Sequence, residues 1–578
     1  MARTPLFHRL QRLVQRALRS TDPMAADAPP IAGPSRRRFL ETLGALATIP
    51  VIGPSLVGVG AGGCGDDAGG RTVAIVGAGV AGLTAAHFLE LAGVTATVYE
   101  ASMRTGGRMF TEQMGLQGGQ LAERGGELVD SNHVVIPALC MTYGLELDDL
   151  VAATAGLAQD QFHFHGAFLS EAELVSGFTP IAAKMQTGIM AGASDTAEFA
   201  RIDGLSIPQY LEQECGLAAG SVMRDLLETA YLEEFGLEVA SQSAWNLVTL
   251  IDSATPDPFR VFGDSDEQFH IHTGSESLPA AMATRLAAQI ELDHTLSAVA
   301  ATGDRFTVSF ATAGGPVDVV ADHVVYSLPF TKLREVDLDA AKLSTAKHAV
   351  IDSLGYGTNA KLMMQFSERH WETAHQASGS LITDIGELQA TWATSRGQPG
   401  PQGLLTNFVG GARGVAIGQG TAEAQAAMAL PWLDTAYPGT AATYLPGTAI
   451  RQHWPTYEFT KGSYACYLVG QWALAGTEGS REGNQHFCGE HTSEDFQGYM
   501  EGAAASGARV AVEILRDLGL ELPAPLAALV DVIGLPAARV GAAVGAGVGP
   551  GVGGSVGNDN PLARRRARML RRAAALGR

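Results

Sequence analysis

Arg71-Thr-Val-Ala-Ile-Val-Gly-Ala-Gly-Val-Ala-Gly82 decides the fold. Val73 to Val76 is a short apolar run of the kind a buried parallel strand shows. Gly77, Gly79 and Gly82 then spell G-x-G-x-x-G. Leu83 to Leu91 reads as a helix that Gly93 stops. Thr95 to Tyr99 reads as a second strand, and Glu100 follows it. Strand, glycine turn, helix, strand and acid in that order make the complete dinucleotide-binding unit. Gly77 permits the tight turn, Gly79 lets backbone approach a pyrophosphate, and Gly82 lets the helix lie close on the sheet. The helix start offers unpaired N–H groups and a partial positive charge to phosphate. Glu100 can accept from a ribose hydroxyl pair. Gly77, Gly79, Ala81, Gly82 and Glu100 are therefore candidate cofactor contacts.

The residues that follow narrow the ligand. Glu100-Ala101-Ser-Met-Arg104-Thr-Gly106-Gly107-Arg108 fits E-A-x-x-R-x-G-G-R. In this stretch the chain resembles the flavin amine oxidases, which include monoamine, polyamine and L-amino-acid oxidases. The resemblance implies FAD, with Gly106 and Gly107 passing beside it and Arg108 touching its phosphates. Ala122-Glu-Arg-Gly125-Gly126-Glu-Leu-Val-Asp130 resembles the family strand behind the flavin. Asn359-Ala-Lys361-Leu-Met-Met-Gln-Phe366 resembles the segment whose lysine holds a water at flavin N5. A cation there could assist reoxidation by stabilising negative charge on oxygen. His453-Trp454-Pro-Thr-Tyr-Glu-Phe-Thr-Lys-Gly-Ser-Tyr464 resembles the stretch that ends in the first tyrosine of an aromatic cage, and Tyr499 in Gly498-Tyr-Met-Glu-Gly502 matches the second. Two aromatic faces flanking the path to N5 would align an amine. Gly489-Glu490 resembles the family pair that contacts the ribityl chain or phosphates. Ser463 stands where some relatives link FAD through cysteine, and Cys466 lies beyond the tyrosine, so non-covalent FAD is expected.

By this resemblance the chain is α/β: a Rossmann-like FAD-binding domain (70–136, 265–334 and 451–520) interleaved with an α+β substrate-binding domain (137–264 and 335–450). Residues 71–518 carry the resemblance, in patches. Within them, Ile207 to Cys215 and Val222 to Tyr231 read as helices. Arg305 to Phe310 and Val317 to Val320 read as a hairpin about Gly314-Gly315. The expected reaction is amine oxidation to an imine, with an amine and O2 as partners and hydrogen peroxide as product. The alternatives are an L-amino-acid oxidase or tryptophan-2-monooxygenase-like enzyme, and a flavin-binding protein without catalysis. L-amino-acid oxidases of the family carry Met-Arg where this chain has Glu127-Leu128, and Leu128 cannot grip a carboxylate. That favours amines without an α-carboxylate unless Arg124 or Arg260 substitutes.

The 578 residues allow two or more domains, and 46% hydrophobic with 17% charged residues is a globular balance. A net charge of −21 argues against nucleic acid and suits a cationic ligand. Five cysteines (Cys64, Cys140, Cys215, Cys466 and Cys488) lack metal-ligand spacing. The pairs His163/His165 and His270/His272 lack further ligands and read as strand histidines, so no metal is assigned.

Ser35-Arg-Arg-Arg-Phe-Leu40 followed by a mildly apolar Gly/Ala-rich stretch matches a twin-arginine export signal over residues 1–63. The expected location is outside the cytoplasm, reached folded through the twin-arginine machinery, in periplasm or medium. Cys64 is a lipidation candidate behind a poor lipobox, and an uncleaved anchor is the other alternative. Residues 523–578, Gly/Ala-rich with a basic end, read as a flexible tail. The basic termini allow contact with a membrane surface.

Overall fold

A computed structural model describes residues 71–533. The export stretch, Cys64 and the arginine-rich end lie outside the described residues. β1 (Val73–Val76), α1 (Val80–Leu91) and β2 (Ala96–Tyr99) form the expected unit. The helix begins three residues earlier than Leu83 because Gly79 itself is its N-cap. β1 is central in a five-stranded parallel sheet, with β2 and then Ile290–Glu291 on one side. On the other lie β3 (His323–Tyr326) and β4 (Gln485–Phe487). Every connection in this sheet is a crossover, so its strands come from four distant parts of the chain.

Strand alternation divides the core. Val73, Ile75, Val98 and Val325 belong to one apolar cluster, with α1 and α2 (Met500–Asp517). Ala74, Val76, Val324 and Tyr326 belong to another, on the opposite face. Each fully buried Val or Ile contributes about 1.5–3 kcal/mol. α1 and α2 pack so closely that a Cβ on Gly507 would stand 2.2 Å from the Ala81 carbonyl. The hairpin is present as Arg305–Thr312 and Gly315–Ala321, joined by Thr295–Thr302 in a three-stranded sheet.

A seven-stranded mixed sheet forms the second body. Its order is Ile450–His453, Ala360–Phe366, Gly403–Val409, Ala390–Ala393, Leu381–Thr383, Gln161–Phe164, Ala167–Phe168. Helices Ile207–Gln213 and Val222–Phe235 lie where helices were expected.

Two boundaries move. The break at 136/137 falls inside a helix, Val135–Thr142. Its Val135, Ile136, Leu139 and Cys140 sit in the same cluster as Ile75. Leu147–Asp149 also pairs with Phe269–Ile271, so the first domain continues past 146. The tail begins later than 523, because α3 (Ala524–Ile533) is a helix. Its Leu526 and Leu529 are 0% and 1% exposed in the α1/α2 cluster. Their spacing with Val530 is the helical i, i+3, i+4 pattern, which the Gly/Ala/Pro composition of the segment conceals. Among the described residues no helix is long and apolar enough to cross a membrane.

Candidate active site

A cleft of about 480 Å³ opens at the C-terminal ends of the parallel strands. This is where ligands bind in open α/β sheets. Gly77 holds φ +106°, its N–H donates to the Tyr99 carbonyl at 2.7 Å, and a Cβ there would lie 2.8 Å from the Ser327 carbonyl. Gly82 does not line the cleft. It lies under the turn, where a Cβ would stand 2.1 Å from the Gly77 carbonyl. Gly79 does face the cleft, and a Cβ on it would meet no protein atom within 4 Å. Ala81 lines the same wall. The first turn of α1 has no acidic residue and no capping side chain. Its N–H groups are therefore left for an anion.

The Gly106-Gly107 segment crosses over this turn. Gly106 N–H donates to the Ala78 carbonyl at 2.8 Å, and a Cβ on Gly107 would touch Gly79 Cα at 3.4 Å. Glu100 accepts from Ala78 N–H at 2.8 Å and from Ser102 N–H and Oγ at 2.9 and 2.8 Å, beside Ala101 on the cleft wall. Arg104 braces its own turn: it donates to the carbonyls of Thr105, Gly107 and Met109, pairs with Glu276 at 3.3 Å, and lies over the Phe110 ring. Arg108 lines the cleft but commits one nitrogen to the Ser463 carbonyl at 2.7 Å and to Glu490 at 2.8 Å. Glu490 also accepts from Gly498 N–H at 2.9 Å. Arg108 and Glu490 thus tie the glycine loop, the Tyr464 segment and the start of α2 into one wall. Gly489 beside them holds φ +130°.

Gly125, Gly126 and Trp454 line the cleft opposite. A Cβ on Gly125 would stand 1.8 Å from the Arg108 carbonyl and 3.1 Å from the Trp454 ring. Lys361 is 5% exposed. Its ammonium donates to the carbonyls of Glu123 and Gly125 at 3.1 and 2.8 Å and to Glu127 Oε2 at 2.7 Å. The resemblance implied a lysine holding a water, but here all three donors of the ammonium go to protein. Burial works to raise the Glu127 carboxyl, and the charge and hydrogen bond of Lys361 override it and hold it below the usual carboxylate range. Glu127 had passed only as the residue beside Leu128. Its signal was an acid inside a glycine-rich, buried strand motif.

Tyr464 and Tyr499 both reach the cleft. The Tyr464 hydroxyl donates to the Glu234 carbonyl at 2.5 Å, and the Tyr499 hydroxyl lies 3.4 Å from Glu234 Oε1. Burial, with the charge of Glu234 adding to it, pushes both phenols well up, so both stay neutral. Glu234 and the acids around it were not anticipated.

The arginines proposed as carboxylate partners are committed elsewhere. Arg124 pairs with Glu112 at 2.7 Å and Arg260 with Asp252. Among the described residues, the only arginines lining the cleft are Arg104 and Arg108. His165, His270 and His272 are each paired with a different carboxylate, Asp225, Glu123 and Asp148. The described residues hold one grouping of three potential metal ligands, His323, His486 and Asp517, which no sequence motif marked. The four described cysteines are buried and free.

The family model for flavin containing amine oxidoreductase matches residues 80–515. An L-amino-acid oxidase of Siganus canaliculatus is 25% identical over 78% of this chain and 88% of its own length. A pseudooxynicotine dehydrogenase of a Pseudomonas species is 24% identical over 76% of this chain and 85% of its own. Among solved structures, the cyclohexylamine oxidase of Brevibacterium oxydans IH-35A superposes with a TM-score of 0.67 at 20% identity, covering 78% of this chain and 99% of that one.

Proposed function

The chain belongs to the flavin-containing amine oxidoreductases, and from that premise we propose that it oxidises amines lacking an α-carboxylate. It is an FAD-dependent oxidoreductase acting on small-molecule amines, with oxygen as oxidant. When bound, FAD supplies the two-electron redox chemistry. The chain supplies binding, orientation and charge. The Gly77–Gly82 turn, Gly106-Gly107 and the start of α1 would hold the dinucleotide, and the glycine cradle open at Gly79 fits it. Two neutral tyrosines at the far end of the cleft would align an uncharged amine. Lys361 would contribute a fixed positive charge beside the site.

The observation that carries the choice of amine over amino acid is that, among the described residues, the two arginines lining the cleft, Arg104 and Arg108, belong to the glycine-loop wall that would face the dinucleotide, while Arg124 and Arg260 are paired with Glu112 and Asp252. A substrate carboxylate there would be buried without a partner, at a cost of several kcal/mol. Net, the amine loses two electrons and two protons to become an imine, which water hydrolyses. Oxygen gains them and leaves as hydrogen peroxide. FAD is held without a covalent link, a reading supported by Ser463, whose Oγ is 2.6 Å from Asn359 Oδ1. The Ser35–Leu40 motif supports export through the twin-arginine machinery, which carries folded, cofactor-loaded proteins.

The test compares kcat/KM for tryptamine with tryptophan and for phenethylamine with phenylalanine. The amine of each pair is expected to win. Preference for the amino acids would assign the chain to the L-amino-acid oxidases. Anaerobic bleaching of the flavin by an amine separates an enzyme from a flavin-binding protein.

A further inference from the structure

Two histidines interrupt the apolar face that the parallel sheet turns toward α2. His323 opens β3, two residues before Val325, and His486 is the register partner of Val325 in β4, so the three side chains share one face. Val73, Ile75 and Val98 make up the rest of that face. Both histidines are 0% exposed. The last turns of α2 lie against them, and there Glu513 and Asp517, four residues apart, share a helix face. This is the opposite end of the strands from the cleft: Ser327, which lines the cleft, is four residues further along the chain, about 13 Å away.

His486 Nδ1 lies 2.8 Å from Glu513 Oε2. A carboxylate only accepts, so Nδ1 carries the proton and Nε2 presents a lone pair. That lone pair faces His323 Nδ1 at 3.2 Å. A carboxylate that fixes a histidine tautomer and aims its other nitrogen is the arrangement found behind metal-ligating histidines. Two imidazole nitrogens on one tetrahedral zinc, each about 2.0–2.1 Å from it, stand about 3.3 Å apart. The separation here matches that bite. One nitrogen of each ring and one Asp517 oxygen all lie within 4.8 Å of one another.

His323 supplies a separate pointer. Its Nε2 reaches no hydrogen-bond partner among the described residues. With Nδ1 donating to His486, that Nε2 is a buried lone pair left over, so the protein alone leaves the pair one partner short. The C-terminal end of α2 also favours a positive charge. Asp517 is exposed, which gives an ion a way in from solvent. Two arginines stand close. Arg509 holds the other Glu513 oxygen at 2.6 Å, and Arg481, 38% exposed, holds Asp517 at 2.8 Å and competes with an ion for it.

We propose that His323, His486 and Asp517 bind one zinc-class divalent ion, which staples β3, β4 and the end of α2 together at the end of the sheet remote from the cleft. Two imidazoles and a carboxylate leave the fourth position to water and suit zinc over magnesium or calcium, which take oxygen ligands. The inference is independent of the amine reading.

The test uses the untagged, flavin-loaded chain, dialysed against EDTA and titrated with zinc chloride by calorimetry. One ion per chain is expected, at a Kd of about 1 μM or tighter. Saturation is expected to raise the Tm by about 2 °C or more. His486→Gln should weaken zinc about 100-fold and Asp517→Asn, an exposed change that spares folding, about tenfold. Arg481→Ala should instead tighten zinc about two- to fivefold by freeing Asp517. No zinc uptake would overturn the site and leave an ordinary hydrogen-bonded histidine pair. A Kd unmoved by His486→Gln and Asp517→Asn would overturn it by placing zinc elsewhere on the surface, and magnesium binding as tightly as zinc would refute the ligand set. Should His486→Gln fail to fold, the two exposed variants decide: shifts of opposite sign support the site, and matching or absent shifts refute it.

Discussion

The Lys361 ammonium lies 2.7 Å from Glu127 Oε2, while the other oxygen of that carboxylate takes the Trp392 indole N–H at 3.0 Å. Both charged side chains are about nineteen-twentieths buried, at 6% and 5% exposure. Removing one partner of such a pair leaves the other charge buried and unmatched. Glu127→Leu is expected to cost about 3–5 kcal/mol of stability, and Glu127→Leu with Lys361→Met to recover most of it. Urea unfolding of the three proteins measures this. A double variant no more stable than Glu127→Leu would show that the pair is not the unit described.

The same ammonium lines the cleft and donates to the Gly125 carbonyl of its wall at 2.8 Å. Lys361→Met is expected to slow reoxidation by oxygen by about 10²-fold, the lower end for an electrostatic contact because Glu127 offsets part of the charge. Anaerobic reduction by amine should change far less. Stopped-flow traces with unaltered oxygen reactivity would remove Lys361 from this role.

Gly79 and Gly82 make opposite demands. Gly79→Ala places its methyl in open cleft, so the protein should fold with near-normal stability and bind flavin weakly. Gly82→Ala drives its methyl into the Gly77 carbonyl and should disturb the turn itself. Thermal melts read with and without added FAD distinguish the two. Flavin bound normally by Gly79→Ala would place the cofactor elsewhere.

Acid precipitation is expected to leave the flavin in the supernatant. Ser463 cannot form a thioether, and Cys466 is 0% exposed, its thiol raised by burial. Colour retained in the pellet would show a covalent bond.

The buried carboxyls of Asp130 and Glu234, beside the cleft tyrosines, predict a pH dependence. Burial raises Asp130 and Glu234 in the folded chain to about 6 and about 7, above their unfolded values. A carboxyl raised on folding contributes stability that is full below its unfolded pKa and lost as pH climbs through the folded one. The Tm should therefore fall between about pH 5 and pH 7, and Glu234→Gln should flatten that fall. Melts of equal slope for both proteins would contradict the assignment.

The cofactor wall was legible because its chemistry is local. Gly77, Gly79, Gly82 and Glu100 stand within one strand–helix–strand unit, and each spacing has one physical meaning. Lys361, Tyr464 and Tyr499 were legible through motifs. Glu127 escaped because its partner is 234 residues away. The acids at 130 and 234 escaped for the same reason: each is unremarked in its own segment and gains meaning only beside the cleft tyrosines. The helix at 524–533 was masked by composition, since the alanines and prolines around Leu526, Leu529 and Val530 read as tail. The boundary near 136 failed because Val135 and Ile136 are held by a residue far downstream. Glu501 accepts from the N–H groups of Val134, Val135 and Ile136 at 2.8, 2.7 and 2.8 Å.

That last contact, with the pairing of β4 to β3, sets an order of assembly. The sheet that would cradle the dinucleotide takes its fifth strand from residues 485–487 and its covering helix from 500–517. The glycine turn at 77–82 leaves the ribosome hundreds of residues before either. At translation speeds of about 5–20 residues per second, the turn waits about 20–80 seconds for the strand that completes its sheet. Throughout that interval Ile75, Leu83 and Val98 have no roof, so the nascent chain is exposed to misfolding. Stable capture of FAD becomes an event of the finished polypeptide, and a fragment ending before 485 would lack the parts to perform it.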